Sequence, residues 1–197
     1  MRKVAGAVLI TGVLAAVPAL TGCGSSVNGD ARPSGSTSAA TTNSGTSGLA
    51  ADVPQGYKPC TEIPKSVLDS EKLHVGVIPN TVDTEASGGI KWRGCNWVRS
   101  NGFTVGITTT NLTVPFVVSR GYPDTREFTI AGRSAVSTRQ VTERLSESCT
   151  VNVEMKGGSL DFLLNNPPSG RDTGSLDACE LVRSVAEKVA ATLPVGA

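Results

Sequence analysis

The chain has 197 residues, and its 18 Lys and Arg nearly balance its 17 Asp and Glu. Without the first 22 residues, 16 basic and 17 acidic residues remain, so the formal charge of the remainder is −1. A protein that binds nucleic acid concentrates positive charge against the phosphate backbone. The charge balance therefore excludes an extended basic surface, and we expect no nucleic-acid partner.

The N-terminus has the order of a secretory signal peptide. Arg2 and Lys3 precede an apolar run from Val4 to Leu20, and small residues then lead into Cys23. A membrane-spanning helix is the competing interpretation, but it needs about 20 predominantly apolar residues. This run is shorter and is interrupted by glycine and proline. We therefore predict that residues 1–22 are a signal peptide.

Leu20-Thr21-Gly22-Cys23 has the form of a lipobox, with leucine three positions before the cysteine. The segment resembles the N-termini of bacterial lipoproteins. That resemblance implies diacylglycerol on the Cys23 sulfur, cleavage before Cys23, and often a further acyl chain such as palmitate on the new N-terminus. Two or three chains hold a protein stably, at about 0.8 kcal/mol per buried CH₂. We expect an exported protein anchored to the outer face of the cytoplasmic membrane; the alternative is an ordinary signal peptide with an incidental cysteine.

Residues 23–56 are predicted to be the lipidated cysteine followed by a flexible tether. The segment is rich in Gly, Ser and Thr and contains no aromatic residue. It cannot bury enough apolar surface to offset the entropy of ordering. A Gly/Ser-rich chain of this length has a root-mean-square reach of about 30 Å, so it would hold the following domain away from the bilayer.

Residues 57–197 are enough for a single globular domain. This region contains four cysteines: Cys60, Cys95, Cys149 and Cys179. An even number of cysteines outside the cytoplasm indicates two disulfides, with three possible connectivities. Zinc is the rival interpretation, but there is no Cys-x-x-Cys pair and His74 is the only histidine. The sequence therefore favours disulfides.

The pattern within the domain predicts both helices and strands. Alternation of apolar and polar residues, typical of strands with one buried face, recurs between turn signals such as Asn101-Gly102. The polar, turn-rich residues 80–89 are predicted to form a surface loop. The other predicted elements are a short helix after Pro59, a short helix from Thr113, and strands at 94–99, 103–108, 126–130, 134–138, 148–155 and 160–164.

The last predicted element is an amphipathic helix. Asp177 is its expected N-cap, with Glu180 three residues later as in a capping box. Apolar residues from Cys179 onwards recur at helical spacing, and Pro194 ends the run. The pattern predicts that this helix packs its apolar side on the sheet.

These elements suggest a fold and a disulfide pairing. Cys95 and Cys149 lie on the predicted buried faces of strands, whereas Cys60 and Cys179 lie at the starts of helices. We therefore predict the pairs Cys95–Cys149 and Cys60–Cys179. The predicted class is α+β: a curved antiparallel sheet covered on one face by an N-terminal and a C-terminal helix and held by two disulfides.

A series of short motifs resembles one family. Pro59-Cys60 before a short helix is followed by Cys-x-Trp at Cys95, an Ile-x-Gly-Arg turn at Ile130, a strand cysteine at Cys149 and Asp-x-Cys at Asp177. Their order resembles the actinobacterial lipoproteins of the LprB/LprC type, which share a domain of unknown function. The resemblance covers residues 59–193 together with the lipobox. It implies a mycobacterial-type cell envelope and supplies no catalytic residues.

The sequence favours a protein that is not an enzyme. A Ser/His or Cys/His mechanism would need His74, which we expect to be structural or exposed at a helix-to-strand junction. The acidic residues are scattered, so glycosidase chemistry has no support; they include Asp124, Glu127, Glu143, Glu147, Glu154 and Asp161. We expect no cofactor and no metal site, and no ligand-binding residue can be assigned.

Three functions remain open at this point. The leading one is a non-catalytic binding or accessory module of the envelope, whose partner is a neighbouring protein or a wall component; Trp92 and Tyr122 are candidates for its contact patch. The second is a carrier of a lipid or another apolar molecule. Its cavity would be lined by Phe103, Ile107, Phe116, Val118 and Phe162. The third is an extracytoplasmic hydrolase with His74 and two acids in one cleft.

Overall fold

The computed structural model describes residues 48–76, 80–140 and 144–197. The predicted signal peptide, Cys23 and most of the predicted tether lie outside the described residues, as does Glu143. Within the ranges described, no helix is both long enough and apolar enough to cross a membrane.

The described residues form one sheet and four helices, in the predicted α+β class. The helices are α1 (Pro59–Glu62), α2 (Lys65–Ser70), α3 (Val114–Ser119) and α4 (Ala178–Ala190). The strands are β1 (Leu73–His74), β2 (Thr81–Ala86), β3 (Ile90–Arg99), β4 (Thr104–Thr110), β5 (Arg126–Ile130), β6 (Arg133–Thr138), β7 (Ser148–Met155) and β8 (Gly158–Asn165).

All the strand pairings in the sheet are antiparallel. The order is β1-β3-β4-β8-β7-β6-β5, and β2 also pairs with β3, on the edge that β4 leaves free. Short turns join β3 to β4, β5 to β6 and β7 to β8, as the turn signals predict. After β4 the chain crosses to the other edge of the sheet, where it forms β5, β6 and β7 in turn. It then returns as β8, which lies between β7 and β4.

The predicted surface loop at 80–89 is wrong, because most of it is strand β2. β2 pairs with β3 from Thr81 opposite Cys95 to Ala86 opposite Ile90. Gly88 and Gly89 close the hairpin with φ values of +83° and +76°, which glycine adopts without strain. The side chains of β2 are mostly exposed because the strand lies at the sheet edge. Backbone pairing with β3 therefore makes this segment a strand, although its sequence has no alternation of apolar and polar residues.

The inner face of the sheet carries the main core. Alternate residues of β3, β4, β7 and β8 point to this face, and α1 and α4 cover it. Complete burial of each aliphatic side chain stabilises the fold by about 1.5–3 kcal/mol. The fully or almost fully buried residues of these strands are Cys95, Trp97, Val105, Ile107, Cys149, Val151, Val153, Leu160, Phe162 and Leu164.

Helix α4 begins and packs as its sequence predicts. The Asp177 side chain accepts hydrogen bonds from the backbone N–H groups of Cys179 and Glu180, at 2.8 and 3.4 Å. These bonds satisfy two of the donors that a helix N-terminus leaves free. The apolar stripe of the helix is buried on the inner face, through Ala178, Val182, Val185, Ala186 and Val189.

The disulfides join helices to strands. Cys60 is bonded to Cys95, and Cys149 is bonded to Cys179. The predicted pairs Cys95–Cys149 and Cys60–Cys179 are therefore wrong. Strands β4 and β8 separate β3 from β7, which places the two strand cysteines about 14 Å apart. A disulfide cannot bridge that distance, so each strand cysteine bonds to the helix above it.

The outer face of the sheet is covered only in part. Helix α3 begins at the predicted N-cap, Thr113, whose Oγ1 accepts a hydrogen bond from Phe116 N at 3.3 Å. Val114 and Val117 of α3 are buried in a second apolar cluster with Val136 of β6. Because α3 lies over β6 and β7, the outer face of β3, β4 and β8 keeps a more open surface.

The folded domain begins before residue 57. Leu49 forms a β-bridge with Leu112, and Asn111 Nδ2 donates a hydrogen bond to the Ala50 carbonyl at 2.9 Å. Val53 is 4% exposed and belongs to the core. Residues 48–56 are thus packed against the sheet, so the predicted tether ends earlier than residue 56.

Candidate functional site

A pocket of about 250 Å³ lies on the open part of the outer face. Its floor and one wall come from the central strands, through Trp92, Asn96, Gly106, Thr108, Asp161 and Leu163. Strand β2 supplies the opposite wall with Val82 and Thr84. We call this cavity the outer-face pocket.

The sheet register places the floor residues side by side. Asn96 of β3 lies opposite Gly106 of β4, and Gly106 lies opposite Leu163 of β8. Two pairs further along, Thr108 lies opposite Asp161. Since side chains two residues apart on a strand share a face, these two rows form one continuous floor.

Gly106 makes room for the Asn96 side chain on the floor. A Cβ atom at this position would lie 2.9 Å from Asn96 Oδ1 and 4.0 Å from the Leu163 carbonyl oxygen. The backbone there is ordinary strand, so conformational freedom is not the reason for glycine. The absent side chain instead leaves the space beside which the Asn96 amide lies.

Asn152 lies directly opposite Asp161 across the ladder between β7 and β8 and orients its carboxyl. Its Nδ2 group donates to Asp161 Oδ1 and to Ser159 Oγ, both at 3.0 Å. The Ser159 hydroxyl in turn donates to the Leu112 carbonyl at 2.7 Å. Because that hydroxyl proton is used, Ser159 Oγ can only accept from Asn152. The network therefore fixes which end of the Asn152 amide faces Asp161.

Burial changes the acidity of Asp161, whose residue is 6% exposed. Loss of solvation raises the pKa of Asp161 from 3.8 to about 7, and the Asn152 hydrogen bond opposes only part of that rise. Near neutral pH the carboxyl is therefore present in both protonation states. In its protonated state it can donate one hydrogen bond as well as accept others.

Polar atoms in this row lack hydrogen-bond partners. Among the residues that the structure describes, Thr108 Oγ1 and Asn152 Oδ1 are buried without one. Asp161 Oδ2 likewise makes no hydrogen bond to any residue of the described ranges. Buried polar groups in proteins are usually paired, because leaving one unpaired costs free energy. Thr108 and Asp161 line the pocket, so a ligand there could supply the missing partners.

The two aromatic residues of the predicted contact patch have different positions. Trp92 is half-buried and forms one wall of the outer-face pocket. Tyr122 packs against the second apolar cluster around α3 and does not line the pocket. Trp92 therefore belongs to the candidate site, and Tyr122 does not.

The residues predicted to enclose a lipid do not line one cavity. Phe103, Ile107 and Phe162 are at most 1% exposed in the inner-face core. Phe116 and Val118 pack in the second cluster, on the outer face. These residues therefore do not form the cavity that a carrier would need, because the strand alternation divides them between the two faces of the sheet.

The other candidate catalytic residues lie elsewhere. His74 is exposed on β1, where its Nε2 atom is 3.3 Å from Ser100 Oγ. Asp124 forms ion pairs with arginine side chains, whereas Glu127 and Glu154 line a separate pocket beside α3. Within residues 48–76, 80–140 and 144–197, Asp161 is the one acidic residue that lines the outer-face pocket.

The sequence analysis did not single out Thr108, Gly106 or Asn152. One signal was available: Asn152 and Asp161 both fall on polar positions of strands whose other positions are strongly apolar. A polar stripe of that kind is normally solvent-exposed. Sequence alone does not show that α3 lies over β6 and β7 and covers part of this stripe.

The fold is an α+β domain with α1 and α4 over one sheet face, and with α3 and a small pocket on the other. A family described as protein of unknown function (DUF3558) matches residues 18–192, so the chain belongs to this family. No curated protein matches the chain, and no solved structure does.

Proposed function

We propose that this protein is an exported lipoprotein of the cell envelope whose domain is a non-catalytic binding module. The outer-face pocket is its ligand site. One observation carries this assignment: the buried Thr108–Asp161 pair lines the pocket with polar atoms that have no partner among the described residues.

The anchor is the lipidated sulfur of Cys23. Its support is the charged start, the apolar run and the lipobox of residues 20–23. The family match begins at residue 18 and so includes the lipobox. The same features support the location at the outer face of the cytoplasmic membrane. The finer assignment to the LprB/LprC type has its support in the order of the domain motifs from Pro59-Cys60 to Asp177-x-Cys179.

Binding fits the pocket better than hydrolysis does. Glycosidases use two carboxyl groups that flank the scissile bond, whereas the described part of the chain places one carboxyl, that of Asp161, in this lining. Serine and cysteine mechanisms need a base beside the nucleophile, and His74 is on the exposed strand β1. The pocket can hold a ligand by hydrogen bonds but brings together no acid–base pair.

A carrier of apolar molecules is the alternative, and the pocket offers it less support. An apolar ligand would leave the Thr108 hydroxyl and Asp161 carboxyl buried without partners, which costs free energy. The large aromatic residues of the core are packed against other side chains. A ligand with hydrogen-bonding groups can pair with these two side chains, whereas a purely apolar ligand cannot.

Affinity capture from native membranes tests the binding role. The full-length lipidated protein is compared with D161N and T108V, and mass spectrometry records proteins, lipids and small molecules together. D172N and T104V are matched controls, since Asp172 and Thr104 are exposed outside the pocket. We expect at least one species to be enriched by the wild type and controls and depleted in both pocket variants. Equal recovery by all five proteins would overturn the role of the pocket.

Replacement of Cys23 tests the anchor separately. We expect wild-type protein in the membrane fraction and the C23A variant outside it or uncleaved. Mass spectrometry of the mature N-terminal peptide should show a diacylglycerol-modified Cys23. An unmodified Cys23 in the native protein would remove the lipoprotein assignment and leave the pocket untouched.

A further inference from the structure

The outer-face pocket has walls and a floor of different polarity. Trp92, Val82 and Leu163 present apolar surface, and Leu163 is 38% exposed where the pocket meets solvent. The hydroxyl of Thr108, the amide of Asn96 and the carboxyl of Asp161 provide polar groups. A matching ligand must therefore have an apolar side and a hydrogen-bonding side.

The charges of the lining restrict the ligand further. Among the residues that the structure describes, the lining contains no Lys, Arg or His, so an anionic group would enter without a cation from these residues to pair with it. Asp161 supplies at most one negative charge, and its pKa near 7 shows that burial disfavours that charge. The remaining polar groups are neutral hydroxyls and an amide. Several neutral donors and acceptors on the ligand fit this set better than a single charge.

The size of the pocket also limits the ligand. Its volume of about 250 Å³ is below the range of most sites for drug-sized molecules. A single ring fits this space, whereas an acyl chain or a folded peptide segment does not. The pocket opens beside Thr84 and Leu163, so the ring can belong to a longer molecule that continues into solvent.

We propose that the outer-face pocket binds one pyranose ring of a neutral sugar. The C–H face of the ring packs on Trp92, since an indole offers a broad apolar surface. Ring hydroxyls donate to Asp161 Oδ2 and exchange hydrogen bonds with Thr108 Oγ1 and the Asn96 amide. Gly106 lets the Asn96 amide lie on the floor, where it can contact the ring. This inference rests on the proposed function of the pocket as a ligand site.

Two tryptophans provide a probe and a reference for the test. Trp92 lines the pocket, whereas Trp97 is 3% exposed on the inner face. Neutral methyl pyranosides and envelope oligosaccharides are titrated into the full-length protein while tryptophan fluorescence is recorded. We expect a saturable change in tryptophan fluorescence. W92F should abolish it, because only the reference residue, Trp97, remains in that variant. Tighter binding of an oligosaccharide than of its terminal monosaccharide would identify a glycan, and not a free sugar, as the source of the ring.

Saturation-transfer NMR with the same sugars tests the polar contacts. D161N and T108V should each weaken binding by about tenfold, the effect of losing one good hydrogen bond. G106V should abolish binding by filling the floor. The exposed controls D172N and T104V should bind as the wild type does. Equal affinities in wild type and the three pocket variants would overturn the proposal.

Failure of the sugar proposal and failure of the pocket as a ligand site give different results. If no pyranoside or oligosaccharide binds, but membrane capture still yields a species that depends on Asp161, the sugar proposal is wrong and the ligand site remains. If neither sugar binding nor membrane capture depends on Asp161 or Thr108, both proposals are wrong. A cationic amine as the captured species would also overturn the sugar assignment.

Discussion

Thr108 lies directly opposite Asp161 across the ladder between β4 and β8, and both residues are at least nine-tenths buried. Within the described ranges, neither Thr108 Oγ1 nor Asp161 Oδ2 has a hydrogen-bond partner. The Thr108 hydroxyl destabilises the folded domain, because it loses hydration without a compensating hydrogen bond. Natural proteins tolerate local costs of this kind mainly at functional sites. Stability measurements can therefore probe the candidate site before any ligand is known.

Replacement of Thr108 by valine should stabilise the protein. Valine keeps the shape of threonine and removes a buried hydroxyl that has no partner in the part of the chain described here. We expect the free energy of unfolding to rise by about 1 kcal/mol. Urea unfolding of wild type and T108V measures the difference.

The exposed residue Thr104 on the same strand gives the matched control. T104V should change stability by less than about 0.5 kcal/mol, as surface substitutions usually do. A loss of stability in T108V would contradict the prediction, since it would mean that the hydroxyl has a stabilising partner.

The buried carboxyl of Asp161 should make stability fall as pH rises. Burial raises its folded-state pKa from 3.8 to about 7, so between these pH values the folded state holds a proton that the unfolded state has released. The stabilising contribution is complete below pH 3.8 and is lost as pH rises to about 7. Three pKa units correspond to about 4 kcal/mol. The melting temperature should thus be higher at pH 5 than at pH 8.

The D161N variant isolates this effect. Asparagine does not titrate, so its stability should change little between pH 5 and 8, and it should exceed wild-type stability at pH 8. Asp52, Asp124 and Asp177 have lowered pKa values, so they lose their contribution only as pH falls below about 4. The same slope in wild type and D161N between pH 5 and 8 would show that Asp161 is not the responsible group.

Local patterns were sufficient for most of the fold. Apolar alternation located β4 to β8, and Asp177 and Thr113 marked the starts of two helices because their side chains cap backbone N–H groups. The sequence pattern did not predict strand β2, because an edge strand with both faces exposed has no apolar alternation. Such a strand is defined by its backbone partner, which lies elsewhere in the chain.

The disulfides and the pocket depend on relations that a single strand does not contain. The pattern correctly placed Cys95 and Cys149 on buried strand faces, but the choice of partner depends on strand order. The chain inserts β8 between β4 and β7, and nothing local to either cysteine records that insertion. For the same reason, the proximity of Thr108 to Asp161 becomes visible only when β4 and β8 are paired.

Peptide mapping under non-reducing conditions should find the helix-to-strand disulfides. Trypsin can cleave at Lys72 and Arg93 between Cys60 and Cys95, so linked peptides will identify the partners. We expect links Cys60–Cys95 and Cys149–Cys179. A peptide that links Cys95 to Cys149 would contradict the strand order of the sheet.

Removal of either disulfide should reduce stability substantially. The bonds close loops with sequence separations of 35 and 30 residues, and loops of that length correspond to about 3–4 kcal/mol of unfolded-state entropy. Paired alanine substitutions at Cys60 and Cys95 should show a loss of this size in urea unfolding. A loss below about 1 kcal/mol would mean that the unfolded state is already compact in this region.

The N-terminus of α4 is tied to the sheet by Arg139. Its Nη2 group donates to Asp177 Oδ2 at 2.6 Å, and its Nε group donates to Asp124 Oδ2 at 3.0 Å. Burial tends to raise the pKa of Asp177, but the Arg139 and backbone hydrogen bonds outweigh it, so that the pKa is lowered. Asp177 thus both caps the helix and pairs with Arg139.

Two substitutions separate the roles of Asp177. D177A removes both the helix cap and the pairing with Arg139. It should lower the free energy of unfolding by about 1–2 kcal/mol, mostly from the lost cap. D177N keeps a capping oxygen and should cost less than about 1 kcal/mol, because its partly exposed ion pair contributes little. The lowered pKa means that the ionic contribution is present above pH 3.8 and lost below it, so the difference between wild type and D177N should shrink in acid. Equal losses in D177A and D177N at pH 7 would show that the charge, and not the cap, holds the helix start in place.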